Sequence, residues 1–91
     1  MQVIEFWPDY GSGPLWGEDG RAIDPRSVGL SARLASELAA FNRSYSEDFI
    51  EEPASAAARE YRARGRGLLS ELRRELAGVC QVVVVEGWDD D

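Results

Sequence analysis

Residues 54–77, ASAAAREYRARGRGLLSELRRELA, constrain this chain more than any other stretch. Turned by about 100° per residue, Ala54, Ala57, Ala58, Tyr61, Gly65, Leu68, Leu69, Leu72 and Leu76 gather on one broad face. Such a helix holds only if another layer covers that face. Pro53 is predicted in its first turn, where a missing N–H costs nothing, and Gly78 marks its end. Gly65 and Gly67 inside it each cost up to about 1 kcal/mol relative to alanine, so a close neighbour or a bend is expected there.

Part of the cover comes from a second helical pattern. Leu30, Leu34, Leu38, Phe41 and Tyr45 recur at helical spacing behind Ser31, whose hydroxyl can accept from a free N–H of the first turn. The acids Glu47, Asp48, Glu51 and Glu52 disfavour that helix's negative end and favour the positive start of the next, placing the boundary near Ser46. Short strand patterns flank the helices. QVIEFW at residues 2–7 alternates Ile4 and Phe6 with Val3, Glu5 and Trp7, and Pro8 ends it. In PLWGEDGRAID the Asp-Gly pair signals a tight ribbon of Leu15–Trp16 against Ala22–Ile23. The run VCQVVVVEGW, rich in valine, predicts a strand buried on both faces and central in its sheet.

The order strand, hairpin, helix, helix, strand predicts an α+β, two-layer sandwich with two helices on one face of a small sheet. A chain of 91 residues fits one domain, residues 1–88, followed by the acidic tail 89–91. Hydrophobic residues make up 44%, too many for a disordered chain, while the longest apolar run is too short to cross a bilayer. No export signal opens the chain, and the single cysteine fits a reducing, cytoplasmic setting.

Composition excludes several chemistries. There is no histidine for an imidazole base or metal ligand, and no lysine for a Schiff base or phosphate-loop cation. All ten basic residues are arginine and threonine is missing, a bias that genome composition explains. Cys80 lies within the valine-rich strand, where a thiol behaves as a small hydrophobe. YGSGP lacks the following helix and basic residue of a phosphate cradle. Asp9, Glu18, Asp19 and Asp24 lack the alternation of a calcium loop and read as solvated turn acids, and the Gly-flanked turn gives Glu18 and Asp19 none of the burial that acid–base work would need. No catalytic residue, cofactor or metal is expected.

The formal charge of −7 opposes binding to nucleic acid or an anionic membrane and favours a basic or neutral protein partner. Two surfaces are candidates for it. Arg59, Arg62, Arg66 and Arg73 line one flank of the second helix's apolar face, with Glu60, Glu71 and Glu75 on the other. They are either solvated and paired borders or a ridge that grips carboxylates. The aromatics of EFWPDYGSGPLW fold back as a lid over the core, or else Tyr10 or Trp16, with Trp88, stays exposed as a partner anchor beside Glu18 and Asp19.

PDYGSGPLWGEDGRAIDPRSVGLS, followed by a leucine-rich helix, an Ala/Arg helix and a valine-rich strand, resembles a set of small uncharacterised bacterial proteins. Some of these look like immunity proteins of polymorphic toxin systems. The resemblance implies a non-catalytic inhibitor that occludes a toxin, and it carries over no catalytic residue. Two other readings stand beside it: a self-associating accessory domain, as a homodimer through a sheet edge or helix face, and a small carboxylate or metal enzyme.

Overall fold

The computed structural model describes residues 2–9 and 11–84. Three strands, β1 (Gln2–Phe6), β2 (Leu15–Gly17) and β3 (Cys80–Val84), form one sheet in the order β2-β1-β3. The helices are α1 (Ala32–Arg43), α2 (Asp48–Glu51) and α3 (Ala56–Glu75), preceded by a 3₁₀ turn at Pro25–Val28. The fold is α+β, with two helices packed against a small sheet, as the patterns predict.

β1 pairs antiparallel with β2, Phe6 opposite Leu15 and Glu5 opposite Trp16, and parallel with β3, Ile4 opposite Val82. The predicted ribbon is present as a bridge between Trp16 and Ala22, with Gly17 N donating to Arg21 O at 2.8 Å and Ile23 N to Leu15 O at 2.9 Å. Strand alternation then sorts side chains between two faces. Ile4, Phe6, Leu15, Cys80 and Val82 join Leu34, Leu38, Phe41, Tyr61, Leu68, Leu69, Leu72 and Leu76 in one buried cluster. Glu5, Trp7 and Trp16 lie on the opposite face.

The valine-rich strand is not central. β3 is an edge, with Gln81 exposed and Val83 and Val84 half-buried, and the middle position belongs to β1. An apolar run reports burial, but strand order is decided by which strand has partners on both sides. β1 emerges between the ribbon and the returning chain.

α1 begins as expected. Ser31 Oγ accepts from Leu34 N at 3.2 Å, and the helix ends at Arg43 with Ser44 as its cap. Pro53 does not open α3. The cap is Ser55, whose Oγ accepts from Ala58 N at 3.1 Å, so Ala54 lies outside the helix and is exposed, as is Ala57. Between the long helices the acids form the single turn α2, a separate element that helical spacing did not reveal. α3 runs unbroken through both glycines: Gly65 is buried, whereas a side chain at Gly67 would meet open space.

A chain of rings ties the layers together. Phe6 stacks on Phe41 at 5.8 Å, Phe41 on Tyr61 at 4.2 Å, and Phe49 of α2 meets Tyr61 at 4.7 Å. Tyr61 Oη donates to Phe41 O at 2.8 Å, and burial raises the Tyr61 phenol far above its ordinary value. The hydroxyl therefore stays a donor.

Glu75 at the end of α3 holds the start of α1, its carboxylate accepting from Ser31 N and Ser31 Oγ, both at 2.8 Å. The Ser31 N–H bond, then the hydroxyl bond, lowers the Glu75 pKa below its ordinary 4.5. A depressed carboxylate stabilises the fold above the unfolded pKa and loses that contribution as pH falls through the folded value. Urea melts from about pH 6 down to about pH 3 are expected to show wild-type stability falling more steeply below 4.5 than that of Glu75→Gln.

Candidate partner-binding surface

α3 lies with its arginine flank toward β3 and its glutamate flank toward α1. On the arginine side, Arg73 Nε and Nη2 donate to Val82 O at 3.2 and 3.0 Å, and Arg62 Nη2 donates to Pro53 O at 2.7 Å. Arg62 and Arg66 are half-buried, while Arg59 and Arg73 are exposed. Two members of the candidate ridge therefore hold the chain's own backbone carbonyls. On the other side, Arg33 Nη2 meets Glu71 at 3.0 Å and Arg33 Nη1 meets Glu37 at 2.9 Å. The Glu71 bond, then the Glu37 bond, raises the Arg33 pKa. Glu75 is taken by Ser31, and Glu60 is exposed. These charged borders pair largely within the protein, and on the glutamate side, between α1 and α3, Glu37, Arg64, Gly67, Leu68 and Glu71 line an open groove of about 380 Å³.

The same contacts bear on the sheet edges. Arg73 occupies a carbonyl of β3, and residues 21–23 lie along the outer side of β2. Each edge offers an added strand fewer free backbone groups.

Trp16 offers no exposed anchor. It is 8% exposed, stacks on Trp7 at 4.2 Å and 7°, and its Nε1–H donates to Trp7 O at 2.8 Å. The pair covers the sheet face away from the helices, so the aromatic loop serves structure there and does not cap an end of the core. Tyr10 and Trp88 lie outside the described residues, as does the tail 89–91. Glu18 and Asp19 are exposed in the ribbon turn, where Asp19 Oδ1 accepts from Arg21 N at 3.0 Å.

Asn42, which carried no signal in the sequence, fastens the loop. Its Oδ1 accepts from Asp9 N at 3.0 Å and its Nδ2 donates to Ser12 O at 2.8 Å, from a site 8% exposed. The acids beyond Ser46, which the charge pattern assigns to the start of the next helix, belong instead to and around the separate turn α2. This turn presents Ile50 at 68% exposure, with Asp48, Glu51 and Glu52 exposed around it.

Among the described residues no group of three or more His, Cys, Asp or Glu side chains is placed to hold a metal ion, and no helix is long and apolar enough to cross a membrane. No curated protein matches the chain. The model of one family, Serratia CdiI immunity protein-like, matches residues 2–87, spanning both strand pairs, all three helices and the aromatic loop. With that match over nearly its whole length, the chain belongs to the Serratia CdiI immunity protein-like family.

Proposed function

We propose that this protein is a non-catalytic inhibitor that binds a toxin protein inside the producing cell and occludes its working surface. The observation that carries this reading is the family match over residues 2–87. The charge supports it: at −7, the chain attracts a basic partner and speeds its approach. Occupied backbone groups at both sheet edges favour a toxin partner over self-association by strand pairing.

The test is titration of the toxin domains found in the same genome, with toxic activity and complex formation followed together. Activity is expected to fall linearly to zero at one equivalent, with association slowing as salt rises. Inactivation by a small fraction of an equivalent would mean that the protein acts as an enzyme. Full toxic activity at several equivalents, with no complex, would end the inhibitor reading.

A further inference from the structure

We propose that the outward side of α2, centred on Ile50, seats the toxin, and that the toxin offers there an apolar pocket rimmed by lysine or arginine side chains. This rests on the inhibitor reading and adds to it the contact surface and the chemistry of what it meets.

The first observation is the exposure of Ile50. At 68% it is the most exposed large hydrophobic among the described residues, ahead of Val79 at 57%, which follows the opposite end of α3. A lone exposed isoleucine is ordinary on a protein surface. This one is held in a fixed direction. Its neighbour Phe49 points inward, packs against the core and meets Tyr61 at 4.7 Å, and Tyr61 is itself tied to Phe41 O at 2.8 Å. Successive residues of a helical turn point about 100° apart, so anchoring Phe49 aims Ile50 away from the core. An anchor held this way loses little freedom on binding.

The second observation is the state of the charges. Arg33 is engaged by Glu37 and Glu71, Arg62 by Pro53 O and Arg73 by Val82 O. Around Ile50, by contrast, Asp48, Glu51 and Glu52 are exposed and make no ion pair with the described residues. Their mutual repulsion gains the free protein nothing. Against a basic surface it becomes attraction, and the apolar side chain they surround supplies the contact that excludes water. Charge complementarity acts mainly on association, and a buried apolar anchor mainly on dissociation.

That division gives the test, made by binding kinetics against the same toxin domains. Ile50→Ala is expected to raise the dissociation rate about tenfold or more with association nearly unchanged. Glu51→Lys with Glu52→Lys is expected to lower association about tenfold or more at low salt and to flatten its salt dependence. All three positions are exposed, so thermal melts should match wild type. Glu18→Lys with Glu60→Lys makes the same change of charge elsewhere and should have the smaller effect. If wild type holds the toxin while Ile50→Ala and the paired α2 reversal bind as it does, the surface is wrong and the inhibitor reading stands. An equal loss in the control pair would reduce the effect to net charge and overturn the placement. A wild-type protein that forms no complex would overturn both readings.

Discussion

Replacing Phe41 with alanine is expected to lower the unfolding free energy by about 3–5 kcal/mol, the range for deleting a buried aromatic ring. Phe41 is fully buried and lies between two other rings, Tyr61 at 4.2 Å and 9° and Phe6 at 5.8 Å and 23°. Alanine removes both stacking partners at once and opens a cavity between the sheet and α3. The surroundings are poorly able to collapse into it. Phe6 is fixed by β1, which pairs on both sides, and Tyr61 is held by its hydroxyl to the carbonyl of residue 41 itself. A domain of this length has only about 5–14 kcal/mol of stability in total, so the variant should be partly unfolded at 37 °C. Urea denaturation measures the loss directly. A cost below about 1.5 kcal/mol would mean that the rings close over the gap and that the layers are held chiefly elsewhere.

The helical layer was legible because each helix writes its own period. Leu34, Leu38 and Phe41, then Tyr61, Leu68, Leu69 and Leu72, mark buried faces that the fold confirms. Ser31 was legible as a cap because a cap is a local bond, made here to Leu34 N. The start of α3 was misplaced because Pro53 and Ser55 are both N-terminal signals. Ser55 prevails by satisfying a free N–H, which proline cannot do, and the Pro53 carbonyl is taken by Arg62 instead. Strand order was not legible. β1 contains Glu5 and β3 contains a run of valines, yet β1 is central, because pairing is decided by long-range contacts that no single segment records.

The candidate surface was less readable than the fold. Periodicity places Arg62 and Arg73 on a flank without saying what that flank faces, and it faces the protein's own carbonyls. Asn42 has partners 33 and 30 positions away, so nothing near it in the chain announces a clamp. In the sequence Ile50 is an apolar residue among Asp48, Glu51 and Glu52, with no periodicity to mark it. Its significance comes from Phe49, whose contact with Tyr61 turns the boundary into an anchored turn.

Gly13→Ala is expected to cost about 2–4 kcal/mol, though it adds one methyl group to a loop. Gly13 has φ +99°, a conformation that strains a side chain by roughly 1–3 kcal/mol. The added carbon would also lie 2.9 Å from Trp16 Nε1. The indole cannot swing aside freely, because it stacks on Trp7 at 4.2 Å and donates to Trp7 O at 2.8 Å. Moving it forfeits a ring pair worth about 0.5–1.5 kcal/mol and a hydrogen bond worth about 1 kcal/mol. Gly11→Ala separates the two costs, since Gly11 has φ +85° and its added carbon would meet nothing within 4 Å. The expected result is a milder loss for Gly11→Ala with the near-ultraviolet circular dichroism of the tryptophan pair intact, and a larger loss for Gly13→Ala with that signal reduced. Equal losses with both signals intact would mean that the indole yields without cost. The loop would then owe its shape to backbone conformation and the Asn42 clamp, and the Trp7–Trp16 stack would follow from that shape.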